Sequence, residues 1–133
     1  MMTDLTPLLF EPDTTIALVG ATDDPSKYGS IIYRDLTAKR LTVIPINPSR
    51  DTVGGAKAYP DLASLPHRPT IINLVVPPAR GMAVVEQVIE LGYDNVWLQP
   101  GAESPELLAK LEASGLRYIA DSCIMVRARF SGM

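Results

Sequence analysis

TIALVGATDDPSKYG, residues 15–29, decides the fold. Its opening, residues 15–19, is a β-branched and aliphatic run of the length and type buried on both faces of a parallel sheet. It stops abruptly in Gly20, Thr22, Asp23, Asp24, Pro25 and Ser26, residue types that turn a chain sharply. The same sequence of events recurs three times: INPSR follows residues 41–45, VVPPA follows residues 70–74, and LQPGAES follows residues 95–97. Stretches with helical spacing connect most of these runs, so the strands should run parallel and the four loops should gather on one edge of one sheet. That edge is where open α/β sheets take ligands. The loops are rich in main-chain turns and poor in catalytic side chains, which describes a nucleotide holder before a catalyst.

Outward from that stretch, residues 29–38 bring Ile31, Ile32 and Leu36 to one side of a helix, and Lys39 and Arg40 follow where cations suit the helix dipole. Residues 41–46 form a second strand. Pro45 within it removes a ladder donor, so its outer neighbour should be short or should end before Pro45. Residues 57–59 read as a minimal third strand, and Asp61 caps a single turn that Pro66 stops. Residues 70–76 give a buried fourth strand. Residues 79–91 give an amphipathic helix with Met82, Val85 and Ile89 on its apolar face and Gly92 as terminator. Residues 95–98 are the fifth strand. Ser104-Pro105-Glu106 starts a helix with Leu107, Leu108 and Leu111 as its apolar face, Gly115 ends it, and residues 116–120 are the sixth strand. Alternating β and α with right-handed crossovers predicts an α/β fold, a single doubly wound parallel sheet. Residues 14–133 would form this domain. Residues 1–13, with two prolines and no periodicity, read as an N-terminal arm packing Leu8, Leu9 and Phe10 on the body.

The bulk properties narrow the function. A chain of 133 residues suits one domain with one real core. Twelve prolines are roughly twice the usual share, and Pro25, Pro48, Pro77, Pro78 and Pro100 all sit in the four loops. The net charge of −3 is opposite to the basic footprint of a nucleic-acid binder, so no nucleic-acid partner is expected. The single cysteine, Cys123, cannot form an internal disulfide, and no Cys/His cluster has metal spacing. Without a basic and apolar leader or a long apolar run, a cytoplasmic protein with no membrane partner is expected.

The turn at residues 20–29 lies where a Rossmann-type domain places its phosphate-binding loop, with backbone donors at a helix N-terminus. The G-x-G-x-x-G fingerprint is missing, because Thr22 and Pro25 occupy its second and third glycine positions. After the second strand, NAD enzymes usually carry an acid for the ribose hydroxyls. This chain has Asn47-Pro48-Ser49-Arg50 instead. A guanidinium there suits a phosphorylated ribose, as in NADP or the 3′-phosphoadenosine of coenzyme A, and a solvated turn charge is the plainer alternative.

Taken together, VGATDDPSKYG, VIPINPSR, AYPDLASLP, VVPPA, WLQPGAE and DSCIMV resemble the small CoA-binding domain family, similar in fold to the N-terminal domain of the succinyl-CoA synthetase α subunit. The resemblance covers residues 14–126. It implies a Rossmann-like sheet of order 3-2-1-4-5-6 and coenzyme A, or an acyl-CoA, as ligand. By the same resemblance Gly20, Ala21 and Thr22, with Lys27 and Tyr28, would hold the pyrophosphate. Asn47, Pro48 and Arg50 would face the phosphoadenosine, Val76, Pro77 and Pro78 would wall the adenine or pantetheine, and Gln99, Pro100 and Gly101 would line the crevice beyond.

No catalytic residue is assigned. His67 lies in a Pro66-His67-Arg68 loop with no triad around it, Trp97 continues an apolar strand as core, and Cys123 reads as a small reduced core residue. Asp23 and Asp24 repel phosphates and should turn away from a ligand. The small-molecule ligand is the expected partner, alongside a homodimer or a separate ligase subunit. The alternative from the enzyme class is an NADP-linked oxidoreductase or a redox-sensing fragment.

Overall fold

A computed structural model describes residues 1–129, so the last four residues of the expected 14–133 domain lie outside the described residues. Strand β1 (Thr15–Val19) feeds helix α1 (Tyr28–Ala38), and β2 (Thr42–Ile46) returns to the sheet. A hairpin of β3 (Thr52–Val53) and β4 (Ala56–Lys57) and a 3-10 turn at Leu62–Ser64 precede β5 (Ile71–Leu74). Then come α2 (Pro78–Leu91), β6 (Asn95–Leu98), α3 (Pro105–Ser114), β7 (Arg117–Ile119) and the short α4 (Ile124–Arg127).

Five strands pair in parallel in the order β2-β1-β5-β6-β7, giving a Rossmann-like α/β fold with a small hairpin appended. The expected third strand, residues 57–59, is reduced to a contact. Lys57 is used in the hairpin, and only Tyr59 reaches the sheet, bridging Ile46 in parallel. Pro45 explains this. Its carbonyl accepts from the Tyr59 amide at 3.0 Å, so the side of β2 that faces Tyr59 is also where Pro45 lacks an N–H, and the next rung cannot form.

All residues of β5 and β6 are buried, as the centre of a sheet covered on both faces requires. One face, through Val19, Leu74 and Leu98, packs on Val85 and Val88 of α2 and Leu107 and Leu111 of α3. The other, through Leu18, Ile71 and Trp97, packs on Ile32, Tyr33 and Leu36 of α1, Ile124 of α4, and Leu5 and Leu9 from the N-terminal segment. In that segment Leu5 replaces Phe10 as an anchor. Phe10 is 49% exposed because the 3-10 turn at Thr6–Phe10 aims Leu9 inward instead.

The helix ends follow the sequence. Ser104 accepts from the Leu107 amide ahead of Pro105, while Gly92 and Gly115 close α2 and α3 in left-handed conformations. The buried stripe of α2 is Gly81, Val85 and Val88, and Ile89 is 39% exposed. Of the expected Met82, Val85 and Ile89, Val85 is buried and Met82 packs half-buried against the same core, while Ile89 turns outward and Gly81 lies against Leu107 of α3. At the far edge, Met2 bridges Tyr118, and the Thr3 amide donates to the Tyr118 carbonyl at 2.7 Å, covering β7. Among the described residues no helix is long and apolar enough to cross a membrane.

Candidate functional site

A cleft of about 510 Å³ opens at the C-terminal ends of β2, β1 and β5. This is the switch point of the sheet: α1 leaves β1 toward one face and α2 leaves β5 toward the other. Val19, Ile46 and Val76 contribute apolar surface.

The β1–α1 loop folds over the cleft through two glycines. Gly20 has φ of +103°, and a methyl group there would stand 3.1 Å from Val76 Cγ1, so the loop lies down on the chain leaving β5. A methyl group on Gly29 would stand 1.9 Å from the Gly20 carbonyl oxygen. The loop therefore closes against the first turn of α1. That helix has no side-chain cap, and the Tyr28 and Gly29 amides have no acceptor among the described residues. Open amides at a helix start, beside a cleft, form a ready anion site.

The two acids of the loop are engaged elsewhere. Asp24 accepts from the Ser26 hydroxyl at 2.7 Å and the Ser26 amide at 3.0 Å, and these bonds hold its carboxyl below the usual carboxylate range. Asp23 accepts from the Gly54 amide at 2.7 Å and lies 3.7 Å from Arg50.

Eight expected site residues line the cleft together: Gly20, Thr22, Lys27, Tyr28, Asn47, Pro48, Val76 and Pro77. Ala21 is buried under the loop, its carbonyl accepting from Asn47 Nδ2 at 2.8 Å. Because Asn47 Oδ1 also accepts from the Ser49 amide at 2.8 Å, Asn47 braces the β1 and β2 loops against each other. Asn47→Ala should cost about 1 to 2 kcal/mol in urea denaturation, since the Ala21 carbonyl is left without that donor; an unchanged midpoint would remove the brace.

The other expected residues lie outside the lining. Arg50 sits with Asp23 at the rim, and Pro78 opens α2 behind Pro77. Gln99, Pro100 and Gly101 follow β6, one strand beyond the switch point. Gln99 is buried, its Oε1 accepting from the Ile124 amide at 2.8 Å and its Nε2 3.5 Å from Cys123 Sγ. Cys123 in turn neighbours Tyr28, and its charge, followed by burial, pushes the Tyr28 hydroxyl upward. Exposed His67 does not line the cleft, and no cluster of His, Cys, Asp or Glu that could hold a metal occurs among the described residues.

Sequence reasoning missed one whole wall. Arg80, Val84 and Gln87 line the cleft from α2, and Pro60, Asp61 and Leu62 line it from the segment that enters the 3-10 turn. Gln87 Oε1 accepts from the Leu62 amide at 3.1 Å, joining the two. The signal was present as an i, i+4, i+7 stripe beside the apolar face of α2.

The chain is 28% identical to Uncharacterized protein YneT of Bacillus subtilis, over 84% of this chain and 82% of that one. A conserved hypothetical protein from Pyrococcus furiosus superposes with a TM-score of 0.83 at 44% identity, covering 85% of this chain and 97% of its own. The dinucleotide forming acetyl-coenzyme A synthetase 1 of Ca. Korarchaeum cryptofilum superposes with a TM-score of 0.72 at 32% identity; the match covers 88% of this chain and 27% of the synthetase chain. The family model described as CoA binding domain matches residues 14–129, and on that match the chain belongs to the CoA-binding domain family.

Proposed function

We propose that the protein holds coenzyme A, or an acyl-CoA, in the cleft at the switch point and performs no chemistry on it. The observation that carries this reading is the coincidence, in one cleft, of the glycine-closed β1 loop, the open amides of α1 and the Asn47-Pro48 turn, in a chain of this family. The cleft volume falls within the roughly 300 to 1,000 Å³ range of small-molecule sites. Gly20, Ala21 and Thr22, with Lys27 and Tyr28, take the diphosphate. Asn47 and Pro48 meet the phosphoadenosine, and Val76, Pro77 and Pro78 supply a rigid apolar wall. Gln99, Pro100 and Gly101 are left to a pantetheine or acyl end that extends past Tyr28. Because the Ca. Korarchaeum cryptofilum synthetase carries the matching region within a much longer chain, a separate ligase subunit is the proposed recipient of the bound thioester, with a homodimer as the other assembly.

Arg50 is assigned the 3′-phosphate. Its pair with Asp23 is long and exposed, and such surface pairs contribute about 0 to 1 kcal/mol, whereas a charge-assisted bond to phosphate contributes about 1.5 to 3 kcal/mol. The phosphate therefore wins Arg50 from Asp23. Calorimetry with CoA, dephospho-CoA and NADPH tests the assignment. Dephospho-CoA should bind roughly ten- to a hundredfold more weakly than CoA, Arg50→Ala should reproduce that loss for CoA, and the variant should lose nothing further with dephospho-CoA. Equal affinity for the two ligands removes the role of Arg50, and preferential NADPH binding replaces CoA by a nicotinamide cofactor.

A further inference from the structure

The α2 wall contains a charge that the loop reading leaves out. Arg80 heads the stripe that continues through Val84 and Gln87, and the bond from the Leu62 amide to Gln87 fixes how that stripe faces the cleft. Arg80 stands in the first turn of α2, its amide bonded to the Pro77 carbonyl, and its side chain is exposed. No carboxylate of a described residue pairs with it. Three other arginines stand within ion-pair distance of a carboxylate, Arg50 of Asp23, Arg68 of Asp94 and Arg127 of Asp4. Lys27 is the other cation lining the cleft, and it too makes no ion pair with a described residue. The two therefore line one space without a salt bridge to a described residue, Lys27 from the N-cap of the helix that covers one face of the sheet and Arg80 from the helix that covers the other.

We propose that Arg80 grips the diphosphate of the bound ligand, opposite Lys27 and the open amides of α1, so that the phosphates bridge the two helices across the switch point. The assignment rests on the CoA reading of the cleft. A guanidinium suits the role because its planar fork meets two phosphate oxygens at once, which an ammonium cannot do. Arg50 and Arg80 then serve different phosphates of one ligand, and truncating the ligand separates them.

The experiment is titration calorimetry of wild type, Arg80→Ala, Arg80→Lys and Arg50→Ala with CoA, dephospho-CoA and pantetheine, with thermal unfolding as the check on folding. Arg80 makes no side-chain bond to the rest of the described protein, so its variants should unfold at the wild-type temperature. Arg80→Ala should weaken CoA roughly ten- to a hundredfold and weaken dephospho-CoA by the same factor, because both ligands keep the diphosphate. Pantetheine, which lacks it, should show no dependence on residue 80. Arg80→Lys should recover only part of the loss. Wild-type CoA affinity in Arg80→Ala overturns the assignment while leaving CoA binding intact, as does a loss that vanishes with dephospho-CoA. Wild-type protein that is folded and binds no CoA overturns the reading of the cleft and this assignment with it.

Discussion

Gly29→Ala should destabilise the protein by about 3 kcal/mol and abolish tight ligand binding in the same step. The added methyl group would stand 1.9 Å from the Gly20 carbonyl oxygen and 2.9 Å from the carbonyl carbon. Those atoms are backbone, so no rotamer change relieves the contact. Either α1 or the β1 loop must move, and both contribute to the proposed anion site. Gly81→Ala is the matched control. A methyl group there meets Leu107 Cδ2 at 3.5 Å, an ordinary packing distance, and replacing a helical glycine with alanine stabilises by roughly 0.5 to 1 kcal/mol. One chemical change should thus shift the urea midpoint down at residue 29 and leave it level or raised at residue 81. A Gly29→Ala variant with the wild-type midpoint would mean the loop does not close on α1 as described.

Trp97→Ala should cost about 3 to 5 kcal/mol, the range for deleting a fully buried aromatic side chain. Trp97 is 0% exposed on β6, and its indole Nε1 donates to the Ser122 carbonyl at 2.8 Å. Two losses are combined in that variant, and Trp97→Phe separates them: most of the apolar volume stays, while the Ser122 carbonyl loses its donor, so about 1 to 3 kcal/mol is expected. The phenylalanine variant should also exchange the Ile124 amide faster. The segment from Ser122 into α4 is held to β6 and the residue after it at three points, the indole bond, the bond from the Ile124 amide to Gln99 Oε1 and the contact of Gln99 Nε2 with Cys123 Sγ. Unaltered exchange at Ile124 would show that Gln99 alone holds it.

The parallel strands were legible because each central strand is a continuous apolar run closed by turn formers, a pattern that needs no knowledge of tertiary contacts, whereas their order came from the family resemblance and not from the pattern. The weak third strand was legible only in part. Pro45 announced that something outside β2 would be short, but the diversion of Lys57 into a hairpin depends on Gly54 and Gly55 adopting positive φ, with Gly54 packed on Tyr33 of a distant helix. The site divides the same way. Cleft-lining loop residues such as Gly20, Thr22, Pro48 and Pro77 reveal themselves by type. Arg80, Val84 and Gln87 do not, because a charged or polar residue beside an apolar stripe looks like a solvated helix face until the 3-10 turn at Leu62–Ser64 is seen to wall the other side. Gln99 shows what residue type alone leaves out. Its turn resembles the other three, yet its amide is spent inside the protein on Ile124.

The two margins of the sheet carry a consequence for solution behaviour at high concentration. On one side the ladder of β7 is taken by residues 1–3, and on the other Pro45 and Tyr59 leave β2 without a continuous run of donors. Both margins are thus partly covered or interrupted, devices by which natural sheets resist edge-to-edge growth. Detaching residues 1–3 from Tyr118 would bare the edge of β7, so that short pairing shields the strand as well as extending the sheet.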